Sequence, residues 1–172
     1  LIIKVMPEGQ ARLAALQTGE VHIAEPPLES VDAVKSNPKL DLFIADNTGQ
    51  DVFFEFAISR PPFNDIRARQ AVAYAIDPDM SLDIVFEGLV SREYCTVAQG
   101  VMGNDPDFCK SVGYKYNPEK AKELLAELGY SVSKRLEVNM MTWTGGNREK
   151  LLQVFQSQLK QVGIDAKIEV MD

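Results

Sequence analysis

The chain has 172 residues and 45% hydrophobic content, enough to bury a sizeable core, which excludes a wholly disordered polymer. Its 18 Lys and Arg stand against 25 Asp and Glu, a net charge of −7 with the two signs interspersed, so no surface is set up to track nucleic-acid phosphates. No apolar run approaches the ~20 residues of a membrane-spanning helix, and the apolar start at 1–5 is too short for a signal-peptide core.

Residues 1–6 read as a strand, 8–18 as a helix with Leu13 and Leu16 inward and Gly19 as its stop, and 21–24 as a second strand. This is a βαβ-like unit. His22, the chain's one histidine, shares a strand face with Glu20 and lies near Glu25, but one imidazole and one carboxylate are an incomplete set for a transition metal. A surface or hydrogen-bonded structural role is expected, and no metal site is assigned. Pro26-Pro27 leads to a helix over 28–36, ended before Pro38, and to a strand over 40–45. The turn residues 46–51 predict an antiparallel connection to a strand over 52–58, making the sheet mixed. In that strand Val52, Phe54, Phe56 and Ile58 share one face, a pattern expected of core rather than of a recognition platform.

The stretch 60–77, R-P-P-F-N-D-I-R-A-R-Q-A-V-A-Y-A-I-D, is the hub. Two prolines close the strand, Asn64 or Asp65 caps a new helix, and Ala68, Val72, Ala75 and Ile76 form a face of small side chains expected to press on the sheet. Arg67 and Arg69 are read as internal struts, since Asp65, Asp77, Asp79 and Asp83 lie nearby; a ligand clamp is the rival role. A short helix over 78–86 ends at Gly88.

Residues 89–117 form an irregular loop region holding both cysteines, Cys95 and Cys109. A bridge between them would close a loop worth about 3 kcal/mol in chain entropy, so a disulfide and an oxidising compartment are expected. A cysteine enzyme would need His22 as its base, and the spacing is not a zinc pattern. The last third is regular. Asn117 caps a helix with Pro118 first, Ala121, Leu124, Leu125 and Leu128 inward and Gly129 as its stop. A strand over 136–143, a helix over 148–162 and a strand over 164–170 form a βαβ unit closed by Gly163.

Three of these stretches resemble the extracellular solute-binding proteins of ABC transporters, family 5. They are the Arg12 to Ala24 segment, with His22 where the family usually has Asp; the Pro61-Pro62-Phe63, Asp65, Arg67 to Ala71 and Ala75-Ile76-Asp77 series; and the Tyr116 to Tyr130 helix. Phe56-Ala57 and Pro78 depart from the family pattern. The resemblance implies an α/β fold, a mixed sheet with flanking helices. It also implies that 1–172 is a single-lobe fragment, C-terminal in position, of a two-lobed type II receptor of the periplasmic-binding-protein kind. The chain's start without methionine inside an apolar run, and its close just after an alternating strand, are read the same way.

By that resemblance the parent captures a peptide or other small solute by hinge closure and delivers it to a cognate ABC permease. The partners would be the solute, the permease and the missing N-terminal lobe of the same chain, with no nucleic acid and no cofactor; the place is periplasmic or extracellular, lipid-anchored in a Gram-positive cell. The implied ligand contacts are Trp143, Thr144, Gly145, Gly146, Asn147 and Arg148, at a strand's carboxyl end leading into a helix N-terminus, where open amides favour a carboxylate. The other reading of that loop is a plain turn with Trp143 packed and Arg148 solvated. Gly145-Gly146 belongs to neither G-x-G-x-x-G nor G-x-x-x-x-G-K, so no nucleotide loop is assigned. Two rival functions remain: the sensor domain of a regulator with the same fold, and a hydrolase using Asp46 with Asp51 or Glu20 with Glu25.

Overall fold

A computed structural model describes residues 1–44, 53–145 and 147–171. Contacts divide the chain into two compact units, Leu1–Asp46 and Asn47–Asp172.

In the first unit α1 (Gly9–Thr18) buries Leu13 and Ala15, and a 3-10 turn at Leu28–Ser30 leads into the short α2 (Val31–Lys35), which buries Val34. Arg12 organises the chain around them. Its Nε donates to the Glu25 carbonyl at 2.9 Å and its Nη1 to the carbonyls of Met6 and Pro7 at 2.8 and 2.7 Å. One guanidinium thus ties the segments on either side of α1, as its planar fork of donors allows.

The expected strands over 1–6 and 21–24, and the described parts of those over 40–45 and 52–58, are extended or irregular instead. A strand is stable only when a neighbour takes up its amides and carbonyls, and among the described residues only 136–143 and 164–171 pair. Hence Leu1, Ile2, Ile3 and Val5 stand in solvent. The expected antiparallel turn over 46–51 lies outside the described residues. The expected core face is formed only in part: the Phe54 ring packs on Phe155 with centroids 5.0 Å apart and Phe56 on Phe63 at 4.9 Å, but Phe54 stays 41% exposed, and Ile58 of the same face is as exposed as Phe53.

The second unit is built on β1 (Leu136–Trp143) and β2 (Ile164–Met171), a parallel pair in register from Leu136 opposite Ile164 to Trp143 opposite Met171. The described sheet is therefore two parallel strands rather than a mixed one. Parallel neighbours need a crossover, and α7 (Arg148–Val162) supplies it, burying Leu152, Phe155, Leu159 and Val162 against the strands. Each such side chain contributes about 1.5–3 kcal/mol. Gly163 ends α7 at φ 101°, and a Cβ there would stand 2.8 Å from the Ser131 carbonyl carbon and oxygen. Only glycine fits, because both the backbone conformation and the close approach exclude a side chain.

The hub helix is α3 (Ile66–Ala75), preceded by a cis Pro61–Pro62 peptide and capped by Asp65, whose carboxylate accepts the Arg67 amide. Ala68, Val72, Ala75 and Ile76 are buried as the spacing predicts. Their main neighbours, however, are helices: α6 (Pro118–Glu127) and α7, not the sheet. Alanines at contact positions let two helices approach closely, and α7 already occupies the sheet's face. The Asn117 amide donates to the Tyr74 carbonyl at 2.8 Å, joining the end of α3 to the cap of α6.

Residues 89–117 are not wholly irregular, since Asp105 caps a seven-residue helix, α5 (Pro106–Val112), with Pro106 at its first position. That Asp-Pro start was legible in the sequence. α4 (Pro78–Phe86) has the predicted bounds and is tied to α7 by Gln158, which is 3% exposed. The Gln158 Oε1 accepts the Asp77 amide at 3.0 Å, and its Nε2 donates to the Ser81 hydroxyl at 3.1 Å. Periodicity gave no sign of this buried bridge.

Two substitutions test these joints by chemical denaturation. Gly163→Ala is expected to cost about 2 kcal/mol or more, from strain at positive φ plus the clash with Ser131. Gln158→Leu is expected to cost about 1–3 kcal/mol by leaving polar groups of α4 without partners; a loss below 0.5 kcal/mol would show that water replaces the amide.

Candidate functional site

The loop singled out by the sequence leaves the sheet at the carboxyl ends of both strands, where ligands bind in open α/β sheets. Trp143 is the last residue of β1, 59% exposed, and Thr144 donates its amide to the Met171 carbonyl at 2.9 Å, closing the ladder. Gly145 turns the chain at φ 93°, and Gly146 lies outside the described residues. Asn147 takes φ 60° and its side chain makes no capping bond to α7; Arg148, the first residue of that helix, is exposed. One short loop thus carries an exposed indole, an exposed guanidinium and a helix start free of a side-chain cap. Positive helix dipole and arginine together favour a carboxylate, and an open indole favours an apolar group beside it.

The arginines of the hub helix are internal ties. Arg67 makes a forked pair with Asp65, Nε to Oδ1 at 3.1 Å and Nη2 to Oδ2 at 2.7 Å, and reaches Glu127 at 3.6 Å. Arg69 donates to the Phe63 carbonyl at 2.6 Å. The bond from the Arg67 side chain, helped by its amide, lowers the Asp65 pKa from 3.8 to about 2. Arg67 is pushed up in turn by that same bond.

Glu20, half of one carboxylate pair considered for hydrolysis, forms an ion pair with Lys4 at 3.0 Å; Asp46 and Asp51 lie outside the described residues. His22 is exposed, and among the described residues no group of three or more His, Cys, Asp and Glu is placed to hold a metal. Cys95 and Cys109 form the expected disulfide, with Cα atoms 5.3 Å apart. Beside it the chain makes a cleft of about 490 Å³ lined by cations and tyrosines, among them Arg92, Tyr94 and Lys110. The sequence gave no sign of it, because its walls come from three separate segments with no shared periodicity.

Solved structures show the same fold. The periplasmic binding protein DppA of Helicobacter pylori, in complex with the peptide STSA, superposes with a TM-score of 0.77 at 24% identity, covering 98% of this chain and 32% of that one. The oligopeptide-binding protein AppA of Bacillus subtilis, in complex with a nonapeptide, gives 0.73 at 24% identity over 98% of this chain and 35% of its own. Both share the type II periplasmic-binding-protein fold, and the chain matches about a third of each. The model of the bacterial extracellular solute-binding proteins, family 5 Middle, matches residues 1–172, and the chain belongs to that family. Among its relatives is the glutathione-binding protein GsiB of Pectobacterium atrosepticum, 34% identical over 170 residues. GsiB of Escherichia coli K12 is 33% identical over 172. The chain spans 31% of the length of each, and 96% of the chain is covered.

The Asp65–Arg67 pair yields a pH prediction. Because the folded pKa lies below the unfolded value of 3.8, the pair's stabilisation is present in full above about pH 4 and is lost as pH falls through about 2. Asp65→Asn keeps a capping side chain but not the charge. The melting temperature of the variant should lie below that of the wild type at pH 7, and the gap should close between pH 4 and pH 2. A gap constant across that range would show that capping geometry, not charge, carries the effect.

Proposed function

We propose that this chain is one part of the substrate-binding component of an ABC importer. In this reading the whole protein captures a peptide or related small solute in an interlobe cleft and hands it to a membrane permease, with no bond made or broken. The observation that carries it is the family match over every residue of the chain, supported by peptide-bound and glutathione-binding relatives. Residues 1–172 supply one lobe, the missing N-terminal lobe of the same protein supplies the other, and Trp143, Thr144, Gly145, Gly146, Asn147 and Arg148 contact the solute. Trp143 covers an apolar part and Arg148 with the α7 start faces a carboxylate. The protein works in the periplasm or outside the cell, lipid-anchored in a Gram-positive host, which suits the Cys95–Cys109 bridge.

The test uses the full-length protein purified without refolding. Native mass spectrometry is expected to show a co-purifying solute of peptide size, released on mild denaturation. Trp143→Ala and Arg148→Ala should each weaken rebinding of that solute at least about tenfold, or 1.4 kcal/mol. Unchanged affinity in both variants would remove the loop from the site, and a protein that arrives empty and takes up no peptide from a panel would overturn the solute reading.

A further inference from the structure

The cleft beside the disulfide has no part in the function proposed above. Its volume, about 490 Å³, falls within the range of small-molecule sites. Its cationic anchor is fixed in place. The Arg92 side chain is 16% exposed, donates Nη1 to Asp79 at 3.0 Å and Nη2 to the Tyr114 carbonyl at 2.8 Å, and stacks over the Tyr94 ring at 4.4 Å. The Lys110 ammonium lies 5.9 Å from the centre of the same ring.

Charge in this cleft runs against that of the chain. The protein as a whole carries −7, yet the lining sets three cations, Arg92, Lys110 and Lys115, against two carboxylates. Both carboxylates are engaged: Asp77 caps α4 through the Met80 amide at 3.1 Å, and Asp79 holds Arg92. Lys110 and Lys115 therefore keep no carboxylate partner among the described residues. Arg92 and Lys110 stand near one tyrosine ring and repel each other, and an anion beside Lys110 offsets that repulsion. A net lining charge of +1 suits a monoanion; a dianion would also meet Asp77 and Asp79.

The covalent frame explains why the walls meet. Tyr94 precedes Cys95 and Lys110 follows Cys109, so the disulfide joins the two sides of the cleft at the residues adjacent to their functional groups. Across from it, Gly113 lets the chain close on Tyr94, since a Cβ at 113 would sit 3.1 Å from the ring's Cδ1. Without the bridge, α5 has only seven residues and buries only Cys109, too little to hold Lys110 in place.

We propose that this disulfide-framed cleft is a second ligand site, taking a small monocarboxylate with a flat aromatic body: the carboxylate with Lys110 and Lys115, the ring among Tyr94, Tyr114 and Tyr116 of the lining. The proposal is independent of the solute loop. Phenylacetate is the probe, titrated calorimetrically into the oxidised full-length protein, with benzyl alcohol and phenyl phosphate for comparison. Saturable binding of phenylacetate is expected, absent for benzyl alcohol and weaker for phenyl phosphate. It should fall at least tenfold in the Lys110→Ala/Lys115→Ala double variant, whose side chains are exposed and whose melting temperature should not move, and persist in Trp143→Ala. Reduction of the disulfide should weaken it by a similar factor. Binding that is lost in Trp143→Ala but kept in the lysine variant would assign the ligand to the solute loop and overturn the proposal. No saturable binding, or tighter binding of phenyl phosphate, would overturn it as well, and full affinity after reduction would remove the bridge from the site.

Discussion

The second unit depends on the way α7 returns to the sheet. Two parallel strands cannot be joined by a tight turn, so the chain must climb off one end, cross the face and re-enter at the start of the next strand. Gly163 makes that re-entry possible by turning at positive φ where the Ser131 carbonyl leaves no space for a side chain, and its own carbonyl accepts the Leu136 amide at 2.9 Å. Helix end, strand start and the turn before β1 thus meet at one residue. From that point the register of eight residue pairs follows, and with it the side of the sheet on which Leu152, Phe155, Leu159 and Val162 are buried.

The same crossing places the functional features. The helix starts just past the carboxyl ends of β1 and β2, so the loop with Trp143 and Arg148 lies where strand ends and a helix dipole converge. Farther along, Gln158 reaches from α7 to the start of α4 and fixes Asp77, which lines the disulfide-framed cleft. One rigid helix therefore borders a loop at one end and supports a cleft wall near the other. Polar ties elsewhere do similar local work, each on a segment without a ladder of its own: Arg12 gathers three carbonyls around α1, and Asp65 with Arg67 holds the start of α3.

An acidic chain with a basic cleft follows from how its charges are spent. Lys120 and Lys122 pair with neighbouring glutamates on α6, and Arg67 and Arg92 are held by aspartates. The two lysine pairs on α6 are exposed and screened, and contribute little to stability. Among the described residues, Lys110 and Lys115 of the cleft have no carboxylate partner, which gives that surface a character the sum over the chain conceals.

The sequence by itself determined the helices and where they stop. Asn117 with Pro118, Asp77 with Pro78, and Gly19, Gly129 and Gly163 act within a turn of the backbone they cap, so their effect is legible without any neighbour. Periodicity likewise named the buried faces of α3 and α7, and the family signature named the fold. The apolar runs at 1–6 and 21–24 show the limit of such reading: a strand is a relation between two segments, and propensity in one of them supplies no partner. Only the tertiary structure decided that α3 lies on α6, that Gln158 bridges α7 to α4, and that Arg92, Tyr94 and Lys110 share one cleft. Those arrangements join residues up to 81 positions apart, and contacts of that range are set by how preformed elements pack, leaving no periodic trace in the order of the residues.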